Sequence, residues 1–199
     1  MRIRSIFLTT TTAAVLCAGS VSAATITNLV GDIDGFGGQT AAGAVGAETG
    51  FGFNNTTGSD PSFTDAWLYE QDGGAGGSPV DYTHSYALTG TALSATLSLM
   101  ESGMSDGRGP WEVRFNGNLL GEIADGDVST STLHSFGVDV SWLTGSDVIS
   151  LIYLDTSSEG YAIDYSMLSI ETAPAVPLPA AGFLMIGALG ALGFARKRR

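Results

Sequence analysis

Two closely spaced carboxylates are the residues of this sequence best suited to bind a metal ion. Asp32 and Asp34 lie two positions apart in a glycine-flanked stretch, Gly-Asp-Ile-Asp-Gly-Phe-Gly-Gly. Alternate carboxylates in a turn can converge on one calcium ion (Ca²⁺), which takes oxygen ligands. The stretch is not an EF-hand, because its twelfth loop position is Gly43, where a bidentate Glu is required. We therefore expect either a calcium-binding turn or a plain Asp-Gly turn.

A third carboxylate stands out because of its apolar neighbours. Asp164 lies in the stretch Ala-Ile-Asp-Tyr-Ser-Met-Leu, which otherwise has the pattern of a strand. A carboxylate in such a strand is rarely buried without a partner. Asp164 therefore favours the metal-binding hypothesis over the plain turn.

Aromatic side chains are the candidates for binding a ligand. Trp67, Tyr69, Trp111 and Trp142 carry rings that could stack on the C–H faces of sugars. The alternative for each is a place in the hydrophobic core. Trp67, Trp111 and Trp142 are our predicted glycan-binding residues.

Patterns typical of enzymes are weak. His84 and His134 are expected on separate strands without local metal spacing, and the sequence contains no Gly-x-Ser-x-Gly motif. Paired carboxylates could form a glycosidase site, but with 20 acidic residues no pair is singled out. We predict a non-catalytic protein, with an extracellular hydrolase acting on polysaccharide as the alternative.

The charge distribution argues against nucleic acid as a partner. All 20 acidic residues lie between Asp32 and Glu171, a range that holds two of the eight cations, Arg108 and Arg114, so its net charge is −18. Binding to phosphates needs clustered Lys and Arg. The single cysteine, Cys17, lies in a predicted signal peptide, so the remaining domain must be held together by core packing or by bound metal.

Short alternating segments between glycine-rich turns predict an all-β fold, which we expect to be a jelly-roll β-sandwich of residues 24–172. Strands are expected at residues 25–30, 65–69, 82–88, 92–99, 111–115, 118–123, 133–140, 148–154 and 160–171. The segment 148–154 is apolar on both faces, which is typical of a central strand.

Alternation also predicts which side chains face the core. Leu93, Ala95, Leu97 and Leu99 are expected to share one face, and so are Trp111, Val113 and Phe115. Asn116 and Gly117 predict a two-residue hairpin between the strands that flank them.

The first 23 residues have the pattern of a signal peptide. Arg2 and Arg4 precede an apolar segment, and Val21-Ser22-Ala23 is a small-residue cleavage site. We expect cleavage after Ala23, with Ala24 as the next candidate, and therefore export through the secretion machinery.

The C-terminal residues have three ordered features. A linker, residues 173–179, contains all but the last residue of the motif Val176, Pro177, Leu178, Pro179 and Ala180. Residues 180–195 carry no charge and are expected to form a short transmembrane helix. The cationic residues Arg196, Lys197, Arg198 and Arg199 follow and are expected to stay cytoplasmic. A permanent tail anchor is the alternative to a sorting signal.

This tail resembles the PEP-CTERM-type sorting signals in their VPLPA variant. The resemblance implies recognition by an exosortase, passage through the inner membrane of a Gram-negative bacterium, and delivery to the cell surface or extracellular matrix. It carries no information on what the exported domain does there.

Residues 80–171 resemble galactose-binding-like jelly-roll domains, which are found in many carbohydrate-binding modules. The segments that carry the resemblance are VRFNGNLLG, Trp142-Leu143, SDVISL and AIDYSML. It implies a structural calcium shared by an acidic turn and an Asp of the last strand, at positions that match Asp32, Asp34 and Asp164. It also implies glycan or exopolysaccharide binding.

Overall fold

The protein folds as a sandwich of two antiparallel β-sheets. The computed structural model describes residues 23–69, 80–104, 110–123, 130–154 and 160–173, which fall in one compact unit, Ala23–Ala173. Within these ranges there is no α-helix, and a single 3-10 helix spans Val140–Trp142. The predicted all-β class is confirmed.

Nine strands are described. They are β1 (Ala24–Gly31), β2 (Leu68–Tyr69), β3 (Val80–Ser85), β4 (Ala92–Ser102), β5 (Trp111–Phe115), β6 (Asn118–Ile123), β7 (Ser131–Val138), β8 (Ser146–Tyr153) and β9 (Gly160–Thr172). One sheet has the order β1-β9-β4-β7, and the short β2 also pairs with β9. The other has the order β3-β8-β5-β6. The strand predicted to be central, β8, indeed lies between two others.

The main core lies between the two sheets. Trp111 is 2% exposed and packs against Tyr153 and Tyr161, with ring centroids 5.0 and 4.7 Å apart. Val113 and Phe115 are also buried, so the inward alternation predicted for β5 is confirmed. Burial of such large side chains is the main favourable contribution to folding.

The β5–β6 hairpin has the predicted turn. Asn116 and Gly117 have φ values of 50° and 80°. Positive φ at both central residues is the signature of a type I′ turn, whose twist matches that of the flanking strands. Asn116 also ties this turn to the neighbouring loop, because its side-chain nitrogen donates to the carbonyl of Trp142 at 2.9 Å.

The expected common face of β4 is wrong at one position. Ala95, Leu97 and Leu99 are buried, but Leu93 is 60% exposed. The pairing of β4 with β9 shifts register between Ala92 and Ser94. An irregularity of this kind reverses the side to which the following residues point.

A second irregularity lies in β9 and shapes the site. Met100 pairs with Tyr165 and Glu101 pairs with Ile163, which leaves Asp164 without a partner position on β4. Ile163 and Leu168 both belong to the main core although they are five residues apart, so alternation is broken between them. Asp164 is therefore the additional residue of a β-bulge, a feature that redirects side chains and is common beside functional sites.

The predicted targeting segments fall outside the described residues, except at their boundary with the domain. Residues 1–22, the sorting motif at 176–180, the apolar segment 180–195 and the basic residues 196–199 are not described. Across the ranges that the structure describes, no helix has the length and apolar character needed to cross a membrane.

Candidate metal centre

Four carboxylates converge at one end of β1 and the bulge of β9. Asp32, Asp34, Asp65 and Asp164 each offer an oxygen, and these oxygens all lie within 4.8 Å of one another. The structure thus brings together the three carboxylates predicted from the sequence. It adds Asp65, which the sequence pattern places at the start of a strand at 65–69, whereas β2 begins at Leu68.

Backbone pairing with β9 brings these carboxylates together. The strand β1 pairs along β9 until Gly31 lies opposite Tyr165, and the chain then turns away with Asp32 and Asp34. Asp65 approaches the same edge from the other direction, where its amide donates to the carbonyl of Ile163 at 2.9 Å. Asp65 has a φ of 55°, which is uncommon for a residue with a side chain.

Gly31 allows this close approach. Its φ is 78°, and a Cβ at this position would overlap the carbonyl oxygen of Asp164 and lie 3.1 Å from the Thr64 methyl carbon. A side chain would therefore push the acidic turn away from β9.

Few protein donors satisfy the carboxylate oxygens. Asp164 Oδ1 accepts from the Phe36 amide at 2.8 Å, and Asp34 Oδ1 accepts from the Gly37 amide at 2.7 Å. Three buried carboxylate oxygens of the cluster have no hydrogen-bond partner among the described residues: Asp32 Oδ1, Asp65 Oδ1 and Asp164 Oδ2. Asp65 is 1% exposed and Asp164 is 0% exposed, so water cannot replace the missing donors freely.

The electrostatics of the cluster favour a positive charge. Burial, the largest cause, and the neighbouring carboxylates of Asp34, Asp164 and Asp32 together raise the pKa of Asp65 to about 8. Burial likewise raises the pKa of Asp164 to about 6, with smaller contributions from Asp34 and Asp32. The pKa of Asp32 is also raised, mainly by burial and then by Asp34. Such a site must take up protons or a cation to hold these groups together.

The ligand set identifies the class of cation. All four side chains are carboxylates. Oxygen-only sites suit calcium and magnesium, whereas zinc sites usually include His or Cys. Four carboxylates, two of them almost fully buried, fit a hard divalent cation.

Aromatic side chains lie next to the cluster on the outer face of the β1-β9-β4-β7 sheet. Asn54 and Ala66 form an antiparallel bridge, which places residues 51 and 53 beside residues 69 and 67 on one face of a short ribbon. We call these side chains the aromatic strip: Phe51, Phe53, Trp67 and Tyr69. Phe51 is 65% exposed and Tyr69 is 49% exposed.

Trp67 is the fixed centre of the strip. Its ring lies 4.8 Å from Phe51 and 6.3 Å from Phe53, measured between ring centroids. A Cβ at Gly160 would overlap the Trp67 ring, and one at Gly103 would lie 3.1 Å from it. The ring therefore rests against the backbone at the start of β9 and just after the end of β4, at two positions that have no side chain.

The three predicted tryptophans do not form one surface. Trp111 is buried between the sheets, so its prediction as a sugar-stacking residue is wrong: its ring faces have core neighbours. Trp142 lies in the 3-10 helix and packs partly against the main core. Trp67 is on the outer face with Phe36 and Phe53.

One arrangement in the described chain resembles a catalytic triad. His84 Nε2 lies 3.0 Å from Ser166 Oγ, and its Nδ1 lies 2.7 Å from Asn28 Oδ1. The Asn28 amide nitrogen donates to the Ser85 carbonyl, so Oδ1 accepts from His84 and Nε2 accepts from the Ser166 hydroxyl. His84 and Ser166 are 0% and 1% exposed, and burial lowers the pKa of His84 to about 4. A substrate cannot reach this serine, and the network serves as a polar link between the sheets.

Comparisons with known proteins give limited similarity. No protein-family model matches the chain, and no curated protein matches it. Among solved structures, the carbohydrate-binding module CBM36 in complex with calcium and xylotriose has 16% identity, covering 45% of this chain and 71% of its own, with a TM-score of 0.33.

Two further carbohydrate-binding modules have similar values. The CBM36-1 domain of a multidomain xylanase from the hindgut metagenome of Trinervitermes trinervoides has 20% identity, covering 49% of this chain and 73% of its own, with a TM-score of 0.33. A family 35 module from Clostridium thermocellum has 14% identity, covering 45% and 68%, with a TM-score of 0.32. Each match covers less than half of this chain.

Proposed function

We propose that this protein is an exported, non-catalytic β-sandwich module whose fold is stabilised by calcium and which binds a glycan of the cell surface or extracellular matrix. The observation that carries the calcium assignment is the set of three buried carboxylate oxygens without protein donors, in Asp32, Asp65 and Asp164. The strand orders β1-β9-β4-β7 and β3-β8-β5-β6 support a jelly-roll topology, in which successive strands alternate between the two sheets except at the short β2 and the β5–β6 hairpin.

The four carboxylates would hold the ion directly. Bound calcium neutralises the repulsion among Asp32, Asp34, Asp65 and Asp164 and supplies the partner that their unpaired oxygens lack. Burial of Asp65 and Asp164 keeps a substrate from reaching them. The site is therefore suited to a structural role, which argues against the alternative of a hydrolase that uses these carboxylates.

Calcium binding is tested by isothermal titration calorimetry on the domain. We expect about one ion per chain for the wild type and at least about a tenfold weaker affinity for Asp164→Asn, which removes one ligand charge. Asp81→Asn is the matched control, because Asp81 is exposed on β3 and makes the same change in charge. Equal affinity in all three proteins would refute the site.

Export and sorting are proposed from the two ends of the sequence. The signal peptide and the motif at Val176–Ala180, followed by an apolar segment and four cations, support processing at both ends and recognition by an exosortase. Replacing Pro177 and Pro179 is expected to retain the protein in the inner membrane, as measured by cell fractionation. Release at the wild-type level would contradict the sorting proposal.

Glycan binding is proposed at the aromatic strip. Trp67 is fixed against the backbone, and Phe51 and Tyr69 leave ring surface exposed in the same aromatic strip. The net charge of −18 between Asp32 and Glu171 disfavours acidic polymers and favours a neutral polysaccharide.

A binding assay separates this proposal from a hydrolase. The affinity for insoluble neutral polysaccharide should fall by about fivefold for Trp67→Ala, since one aromatic stacking contact contributes on the order of 1 kcal/mol. Trp142→Ala is the matched control and should bind like the wild type. Release of reducing ends from the polysaccharide by the wild type would favour the hydrolase instead.

A further inference from the structure

In the sequence, ligands of the candidate metal centre come before and after one half of the aromatic strip. Asp34 and Asp65 are 31 positions apart, and Phe51 and Phe53 lie between them. A metal held by Asp34 and Asp65 therefore closes a loop that contains one half of the strip. Closing a long loop restricts the unfolded and partly unfolded states of the segment it encloses.

This segment has few strand pairings of its own. Residues 32–67 contain no strand, and two isolated bridges, Glu48 with Thr130 and Asn54 with Ala66, are described within them. Gly46 and Ala47 bond to Ser131 at the start of β7, so the middle of the segment is held independently of the metal centre. Among the described residues, the part next to the carboxylates makes no comparable backbone bond to a strand, apart from the bond of the Asp65 amide to Ile163.

Phe36 connects the carboxylates to the strip. Its amide donates to Asp164 Oδ1 at 2.8 Å, and its ring is 1% exposed. The ring contacts Phe53 edge-on with centroids 6.5 Å apart, and Phe53 in turn contacts Trp67 at 6.3 Å. A continuous series of ring contacts thus runs from the metal centre to the exposed strip.

The backbone of Phe36 depends on these contacts. Its φ is 57°, a left-handed conformation that a large side chain rarely adopts. Such a conformation persists where surrounding contacts hold it in place. Repulsion among the four carboxylates acts on the same turn. Loss of the cation therefore frees Phe36 from the contacts that hold its backbone and ring in place.

We propose that cation binding by Asp32, Asp34, Asp65 and Asp164 sets the position of the aromatic strip, with Phe36 as the positioning residue that couples the two. This proposal rests on the proposed calcium site. In addition, the bound ion controls whether the glycan-binding surface is formed. The strip is ordered when calcium is bound and disordered when it is removed. Calcium then regulates ligand binding without contacting the ligand.

Hydrogen–deuterium exchange of the whole domain, with calcium and with EDTA, tests the coupling. We expect peptides covering residues 50–56 and 64–69 to exchange at least about tenfold faster in EDTA. Peptides from β5 and β8, in the other sheet, should change little. Calorimetry on the same samples separates the two proposals: calcium binding with unchanged exchange at the strip overturns the coupling alone, and absence of calcium binding overturns both.

A substitution isolates the role of the ring. Phe36→Ala keeps the backbone amide that bonds to Asp164, so calcium should still bind, but its protection of residues 50–56 should be lost. Phe63→Ala is the matched control in the same segment, because Phe63 stacks on Tyr82 at 5.2 Å rather than on the strip. If calcium still protected residues 50–56 fully from exchange in Phe36→Ala, the coupling would be overturned. The comparison of wild-type exchange with calcium and with EDTA does not depend on how well either variant folds.

Discussion

Removal of calcium is expected to lower the thermal midpoint of the domain by several degrees. A ligand that binds the folded state alone, at a free concentration 100 times its Kd, stabilises that state by about 2.7 kcal/mol. A domain of about 150 residues shifts by roughly 3 °C per kcal/mol. We therefore expect the midpoint to fall by about 8 °C in EDTA and to return when calcium is added in excess, as measured by circular dichroism.

Asp65→Asn should change the melting temperature in opposite directions in EDTA and in calcium, which a plain acidic turn would not produce. In EDTA the variant should melt above the wild type, because a neutral amide removes a buried group that otherwise must take up a proton. In calcium it should melt below the wild type, because a ligand is missing. Asp81→Asn, at an exposed position, should follow the wild type in both buffers. An unchanged calcium shift in Asp65→Asn would refute our account of the site.

Three further outcomes are expected. In EDTA, the free energy of unfolding should fall by up to about 1.4 kcal/mol for each unit by which the pH rises between 6.5 and 8, because the folded state binds a proton at Asp65 that the unfolded state has released. Calcium should flatten this slope, and a flat profile in EDTA would contradict the raised pKa of Asp65. Gly31→Ala should lose about 2 kcal/mol in urea unfolding, through its positive φ and its overlap with Asp164, and a neutral result would contradict that geometry. Trp111→Ala should lose about 4 kcal/mol in the same assay because its ring is buried in the core, and a loss below 1 kcal/mol would contradict that assignment.

Most strands of the fold were predictable from side-chain alternation. The strands β5 and β6 have the expected bounds, and the Asn116-Gly117 hairpin has the expected turn. The bulges were not predictable, because they depend on pairing between strands that are far apart in sequence. Leu93 is exposed for this reason, since the irregularity beside it has no local signal in β4.

The ligands of the site were predictable where they lie close together in the sequence or where a carboxylate interrupts an apolar segment. Asp32 and Asp34 are neighbours in a turn, and Asp164 stands out in an apolar strand. Asp65 could not be found, because its place depends on a backbone bond to Ile163, which is 98 positions away in the sequence. For Trp111 the alternation with Val113 and Phe115 already indicated burial, and that pattern outweighs the general affinity of tryptophan for sugars.

The pairing of β1 with β9 also fixes where the domain can be tethered. Ala24 lies opposite Thr172, so the two ends of the described domain lie side by side at one pole. Gly31 and Tyr165 are seven residues further along the same two strands, a distance of about 23 Å. A support coupled to the domain at Ala24 or Thr172 would therefore lie at the opposite end of this strand pair from the carboxylates.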